Sequence, residues 1–119
     1  MIDTVTSTRS EAIGRLNDRC RQGLDRTARV TVTRACLAAL STDSVASQAI
    51  AQARLLQELR RYKFAEGDTL RERGEFTVDD TQVYFTIDYY DQAFEWGSED
   101  PADASITRRV LTMMLREDL

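Results

Sequence analysis

EFTVDDTQVYFTIDYYDQAFEWGSEDPAD, residues 75–103, is the stretch that decides the fold of this 119-residue chain. It contains nine Asp and Glu residues and no Lys or Arg. It also holds the only Trp, the only Pro, three of the four Tyr and three of the four Phe. A segment that is both acidic and aromatic must build core with one set of side chains and present negative charge with the other.

The first part of this stretch predicts a β-hairpin. Residues 75–78 and 83–90 flank a polar turn at residues 79–82, which is the pattern of two paired strands. Residues 91–103 show no period and are rich in Gly, Ser, Asp and Pro, so they predict a loop. The second arm of the hairpin alternates, with Val83, Phe85, Ile87 and Tyr89 on the core side and Tyr84, Thr86, Asp88 and Tyr90 on a partly exposed face.

The first 62 residues predict two helices and one strand. Residues 10–24 carry apolar side chains every three to four positions, which is the helical period. RVTVTR at residues 29–34 alternates Val and Thr, as a short half-buried strand does. Residues 45–62 are rich in Ala, contain neither Gly nor Pro and predict the second helix. For ACLAAL at residues 35–40, periodicity does not separate a strand end from a helical turn.

The C-terminal segment predicts a third helix over residues 106–117. Ile106, Val110, Met113 and Met114 recur at helical spacing, after a possible cap at Asp103 or at residue 105. The predicted fold class is therefore α+β, with a small antiparallel β-sheet of about three strands, including the hairpin at 75–90, and three helices packed on one face. We predict a single domain over residues 1–119, in which residues 1–9 form a disordered tail.

Composition limits the function. No apolar run approaches the roughly 18 residues of a membrane span, and the N-terminus lacks the features of a signal peptide, so we expect a cytoplasmic protein without membrane contact. The chain has no His, which removes the commonest general base and metal ligand and leaves carboxylates, Lys63 and tyrosines. Cys20 and Cys36 have no metal-ligand spacing around them and are expected to be buried free thiols.

Charge is unevenly distributed along the chain. Residues 1–74 hold 13 basic and 9 acidic side chains, whereas residues 75–119 hold 3 basic and 11 acidic ones. The arginines of the first half alternate with acidic residues and the pI is about 4.8, so we expect no direct binding of nucleic acid. We expect those arginines instead to pair with the acidic hairpin, within the chain or across a dimer contact.

The carboxylates of the hairpin and loop are the sharpest candidates for chemistry. Oxygen-rich clusters hold Mg²⁺ or Ca²⁺, and paired carboxylates perform acid–base catalysis. Their spacing matches neither an EF-hand nor a nuclease signature, so we predict a solvated acidic face with no metal, no cofactor and no catalytic residue. A carboxylate-based, metal-dependent hydrolase remains the alternative.

Four segments carry a resemblance to a known family. LNDRCR at residues 16–21, RVTVTR at 29–34, FTIDYYD at 85–91 and SEDPADASITRRVLTMMLREDL at 98–119 resemble the domain of unknown function family 3768. That bacterial family is common on proteobacterial plasmids and mobile elements, and the resemblance runs from about residue 13 to the end. The family's run Asn-Asp-Pro-Tyr-Gly-Glu-His-Asp-Phe-Gly is replaced here by EGDTLRERGEF at residues 66–76. The resemblance thus implies a mobile-element scaffold reused for binding.

The leading hypothesis is a small acidic interaction protein from a phage or mobile element. It would inhibit a host nucleic-acid-handling defence complex, a CRISPR effector or restriction complex, by occupying a basic groove meant for phosphates. A structural homodimer without catalytic activity is a further alternative. The candidate partner-binding residues are Asp79, Asp80, Asp88, Asp91, Glu95, Glu99 and Asp100 as charges and Tyr84, Tyr90 and Trp96 as anchors.

Overall fold

Four strands form one mixed sheet, and three helices accompany it, in the computed structural model, which describes residues 4–119. The sheet order is β1-β4-β3-β2, with β1 parallel to β4 and the other neighbours antiparallel. The elements are α1 (Thr4–Arg21), β1 (Arg29–Val32), α2 (Arg34–Leu40), α3 (Val45–Arg61), β2 (Arg73–Val78), β3 (Thr81–Tyr90), β4 (Arg108–Met114) and a 3-10 turn (Arg116–Asp118).

All three helices pack on the same face of the sheet. The core joins Cys20 of α1, Cys36 of α2 and Leu55 and Leu59 of α3 to the inward side chains of β3 and β4. This one-sided arrangement confirms the predicted α+β class. It leaves the opposite side of the sheet, called the open face below, without a covering helix in the described part of the chain.

The sheet differs from the prediction because the predicted helix over residues 106–117 is wrong. Residues 108–114 form strand β4, so the sheet has four strands rather than three and is mixed rather than antiparallel. Leu111 and Met113 are buried while Val110 and Met114 are half-buried, which is the alternation of a strand. Because β4 pairs with a strand on each side, the ladder hydrogen bonds of a central strand outweigh a weak helical spacing.

Strands β2 and β3 form the predicted hairpin, and its turn is shorter than the predicted one at residues 79–82. Its turn residues are Asp79 and Asp80, at φ 47° and 66°. Two consecutive residues with positive φ make a type I′ turn, whose twist matches that of the paired strands. Val83, Phe85 and Ile87 are buried on the helix side, as their alternation predicts.

The N-terminal half follows the sequence prediction except at the bounds of some elements. Helix α1 begins at Thr4, so residues 4–9 of the predicted tail are helical, and residues 1–3 lie outside the described part. The undecided segment at 35–40 lies in α2, where the Thr33 side chain caps the helix by accepting from the Cys36 N–H. The predicted helix at 45–62 is confirmed, and the predicted strand at 29–34 is confirmed for residues 29–32, since Arg34 already begins α2.

Two further predictions can be compared with the structure. Cys20 and Cys36 are both free and buried. Of the helices in residues 4–119, none is both long enough and apolar enough to cross a membrane.

Candidate functional site

The structure separates the ten candidate residues into three groups along β3. Strand β3 has ten residues and is about 30 Å long at the usual rise of roughly 3.3 Å per residue, so its two ends are far apart. The predicted residues therefore do not form one continuous acidic face. Asp79 and Asp80 lie at the hairpin tip, Tyr84, Asp88 and Tyr90 on the open face, and Asp91, Glu95, Trp96, Glu99 and Asp100 in the loop that follows.

The hairpin tip is tied to helix α3. Arg54 donates from both terminal nitrogens to the two carboxylate oxygens of Asp79, at 2.6 Å for the bond from Nη2 to Oδ1. These hydrogen bonds hold the pKa of Asp79 below its usual value. The charge of Asp79 is thus matched within the chain, and the pair fixes the tip against α3.

The open face carries both signs of charge. In the register of β3 and β4, Asp88 lies opposite Val110 and Tyr90 lies opposite Arg108. Arg29 of β1 is the next neighbour of Val110 in the same row. The single carboxylate of β3 on this face is therefore flanked by arginines, and the face is mixed rather than acidic.

Residues 91–107, called the acidic loop below, begin with a tight turn. The Asp91 N–H donates to the Trp96 carbonyl at 2.8 Å, and the Ser98 N–H donates to the Tyr89 carbonyl at 3.0 Å. Oδ1 of Asp91 accepts from the Glu95 N–H at 3.0 Å, and Phe94 takes the left-handed conformation at φ 58°. These bonds pair the end of β3 with residues 96–98 of the loop, and so they fix the conformation of residues 91–98.

Asp100 organises the second half of the acidic loop. Its Oδ1 accepts from Arg9 at 2.8 Å and from the Ala102 N–H at 3.1 Å, and both bonds lower the pKa of Asp100. Its carbonyl accepts from the Thr107 hydroxyl at 2.9 Å, and Thr107 also shares a 2.6 Å hydrogen bond with the Ser98 hydroxyl. Asp100 therefore stabilises the conformation of the loop.

The unpaired charges of the loop lie close to its tryptophan in sequence. Trp96 is 74% exposed, and Glu95 and Glu99 are exposed and form no salt bridge within residues 4–119. Trp96 borders an open cleft of about 580 Å³. The cleft is lined by Asp91, Gln92, Ala93, Trp96, Gly97, Glu99 and Ile106.

A buried polar network supports the acidic loop from below, and sequence reasoning missed it. Arg109 is 1% exposed and donates from Nε to Oδ1 of the fully buried Asn17 at 2.8 Å and from Nη2 to the Pro101 carbonyl at 2.6 Å. The Asn17 amide donates to the Tyr89 hydroxyl at 2.8 Å, and that hydroxyl donates to Glu72 at 2.8 Å.

Burial sets the ionisation of this network. It raises the pKa of Tyr89 to about 12 and lowers that of Arg109, and within residues 4–119 no carboxylate forms a salt bridge with Arg109.

Interpreting residues 108–114 as a strand would have placed Arg109 on the core side with Leu111. That alternation was the signal available in the sequence.

No ligand set for a metal ion emerges from residues 4–119, because no three Cys, Asp or Glu side chains come together there in a suitable arrangement. The acidic side chains of the loop are spread around the cleft and the loop backbone. What the arrangement offers is a fixed surface with negative charge around an exposed aromatic ring.

A comparison with protein families places this chain. The family model described as protein of unknown function (DUF3768) matches residues 32–118, most of the chain. The chain belongs to the DUF3768 family. The part that matches DUF3768 contains the acidic loop and strands β2 to β4, whereas α1 with Asn17 lies before it. No curated protein and no solved structure shows significant similarity to the chain.

Proposed function

We propose that this DUF3768 protein is a small acidic interaction protein that docks its acidic loop on a basic surface of a nucleic-acid-handling complex in the cytoplasm. The observation that carries the proposal is the group formed by Trp96, Glu95 and Glu99. Residues 95–99 hold an exposed tryptophan and two exposed glutamates without a salt bridge in the described part of the chain, on a loop that its own hydrogen bonds hold in place.

The fixed backbone of the loop favours binding. Ordering a flexible loop and its side chains on association costs free energy, and a loop that is already ordered avoids most of that cost. The hydrogen bonds within residues 91–98 and around Asp100 supply this order in the free protein. Trp96 is then a rigid apolar anchor of the kind that dominates protein interfaces.

Charge favours a basic partner. The acidic loop contains five Asp and Glu residues and no Lys or Arg. Carboxylates that lack a cation in their own chain attract a partner's arginines and lysines at long range, and salt screens that attraction. Surfaces that bind nucleic-acid phosphates carry such cations, so an acidic protein can compete with the nucleic acid for them.

The target class that we propose is a host defence complex of the CRISPR or restriction type. Its support is the resemblance to a family common on plasmids and mobile elements, together with the charge of the loop. The residues assigned to docking are Asp91, Glu95 and Glu99 as charges and Trp96 as anchor, with Tyr90 and Asp88 at the margin. Asp79 and Asp100 are assigned to holding the structure, because each is paired with an arginine.

The test is a pull-down from lysate of the native host with the purified protein at low and high salt. The parent protein is compared with a Glu95→Lys/Glu99→Lys variant and with a Glu66→Lys/Glu117→Lys control. All four side chains are exposed, so both variants change the net charge equally. The proposal expects a nucleic-acid-handling complex that the parent and the control recover at low salt and that the loop variant loses.

The recovered complex is then assayed with its own nucleic acid. Saturating amounts of the parent protein should displace that nucleic acid, and the loop variant should not. Equal recovery by the loop variant and the control, or a complex that keeps its nucleic acid in the presence of the protein, would contradict the proposal.

A further inference from the structure

We propose that the cleft beside Trp96 is a receptor for one arginine side chain of the docking partner. The inference rests on the proposed function, since the cleft belongs to the acidic loop, and it names the group that the loop recognises. The cleft combines one aromatic ring, apolar walls from Ala93, Gly97 and Ile106, and the carboxylate of Glu99 at its border.

The chemistry of the cleft suits a cation with an apolar stem. A cation placed over an aromatic face is attracted by the ring quadrupole, and Trp gives the strongest such interaction. The carbon stem of a long basic side chain packs on apolar surface while its charged head meets the carboxylates. Ile106 and Ala93 provide that surface, and Asp91 and Glu99 provide the carboxylates.

The acidic loop already binds a guanidinium of its own chain. The guanidinium carbon of Arg29 lies 3.7 Å from the centre of the Phe94 ring, two residues before Trp96. Within residues 4–119 no Arg or Lys stacks on Trp96 in the same way. The loop thus presents two aromatic rings, of which one is covered by an arginine and the other faces solvent.

Arginine fits the cleft better than lysine does. The guanidinium is planar, stacks on an aromatic face and donates along its edge to a carboxylate at the same time. An ammonium is a compact and strongly hydrated point charge that gains less from stacking. Arg29 over the Phe94 ring is an example of a guanidinium on an aromatic face within the same loop.

The inference can be tested without knowledge of the partner. The probes are three capped tripeptides, Gly-Arg-Gly, Gly-citrulline-Gly and Gly-Lys-Gly, at constant ionic strength. Citrulline has the shape of arginine without its charge. Trp96 is the only tryptophan of the chain, so its fluorescence reports on the cleft directly. We expect the arginine peptide to bind in the millimolar range and about tenfold more tightly than the citrulline peptide.

Variants locate the interaction. Glu99→Gln should weaken binding of the arginine peptide severalfold, and Asp91→Asn should do the same while its Oδ1 still accepts from the Glu95 N–H. Glu66→Gln makes an identical charge change at an exposed position outside the loop and should leave binding unchanged. For Trp96→Leu the readout is the NMR chemical shift of loop amides, which should no longer respond to the arginine peptide.

The outcomes separate this inference from the proposed function. Equal affinity for the arginine and citrulline peptides overturns the arginine receptor, even if the pull-down recovers a complex. Equal affinity for the arginine and lysine peptides overturns it as well, because a general attraction of cations would then suffice. Selective arginine binding that Glu99→Gln weakens supports the receptor, even where no nucleic-acid-handling complex is recovered.

Discussion

Arg109 and Tyr89 lie directly opposite each other on β4 and β3, and the guanidinium carbon of Arg109 is 5.1 Å from the centre of the Tyr89 ring. The same guanidinium donates to Asn17 of α1 and to the Pro101 carbonyl of the acidic loop. A buried cation is therefore held by neutral acceptors and an aromatic face. Through it, the sheet fixes both α1 and the acidic loop.

Replacing this arginine should destabilise the protein strongly. Arg109→Met keeps an unbranched apolar stem in the core and leaves the Asn17 carboxamide oxygen and the Pro101 carbonyl without their donor. We expect the free energy of unfolding to fall by about 2–3 kcal/mol, the usual cost of buried polar groups that lose a partner. The adjacent Arg108→Met, on the open face, should cost less than about 1 kcal/mol. Urea denaturation measures both, and equal losses would refute the holding role of Arg109.

Stability should decrease at alkaline pH. Burial raises the pKa of Cys20 from 9.0 to about 11, that of Tyr89 from 10.0 to about 12, and that of Cys36 above its usual value. Folding favours the protonated form of each group, so its contribution is complete below the unfolded pKa and is lost as the pH rises through the folded pKa. The thermal midpoint should therefore fall progressively between about pH 9 and pH 12.

A Cys20→Ala variant isolates the contribution of Cys20. It should lose part of the decrease between about pH 9 and 11 and retain the later part, which belongs to Tyr89. If the thermal midpoint of the parent protein does not change over this pH range, burial does not keep these groups protonated in the folded state.

The sequence was informative where one local signal dominated. The alternation in β3 identified Phe85 and Ile87 as core, and the Ala-rich period identified α3, because propensity and burial agree there. The segment before Met114 was misassigned because Ile106, Val110 and Met113 fit a helical spacing, while the buried Arg109 hid the alternation of a strand. A polar residue on a core side is read as exposed unless its partners are known. Those partners, Asn17 and Pro101, come from other parts of the chain.

Residues 91–103 form a loop as predicted, whereas Ile106 and Thr107 of the acidic loop fall in the wrongly predicted helix, and the roles of the individual carboxylates do not follow from the sequence. Asp100 and Glu99 are neighbours with the same charge, and only the position of Arg9 makes the first a holding residue. Likewise, the pairing of Asp79 depends on Arg54, which lies on another element. Ion pairs between distant segments depend on the tertiary structure, which local patterns do not encode.

The strand assignment of the C-terminal segment can be tested with its two adjacent methionines. Met113 is 3% exposed on the core side, whereas Met114 is half-buried on the open face opposite Tyr84. Met113→Ala should lower the free energy of unfolding by about 2–4 kcal/mol, and Met114→Ala by about 1 kcal/mol or less. Similar losses for both, measured by urea denaturation, would favour the helical interpretation, in which both methionines face the core.

A glycine in α1 should resist replacement by a better helix former. A Cβ at Gly14 would collide with the Thr69 carbonyl and with the Arg71 guanidinium. Alanine is favoured over glycine by about 1 kcal/mol in a helix interior, yet we expect Gly14→Ala to destabilise the protein by about 2 kcal/mol, because the carbonyl belongs to the backbone and cannot move freely. Gly97→Ala, whose Cβ would have no atom closer than 3.9 Å, should be nearly neutral. A stabilised Gly14→Ala variant in thermal denaturation would contradict the close approach of α1 to residue 69.

The two residues of the hairpin turn should respond in opposite ways to glycine. Both have positive φ, where a residue with a Cβ is strained, but only Asp79 is held by Arg54. Asp80→Gly should therefore stabilise the protein by about 0.5–1 kcal/mol, because glycine suits the second position of a type I′ turn. Asp79→Gly should gain nothing or lose stability, because the relief of strain is offset by loss of the bidentate pair. Thermal denaturation measures the difference, and equal shifts would show that the Arg54 pair contributes nothing. Since the tip lies about 30 Å from the acidic loop, neither variant should change the arginine affinity of the Trp96 cleft.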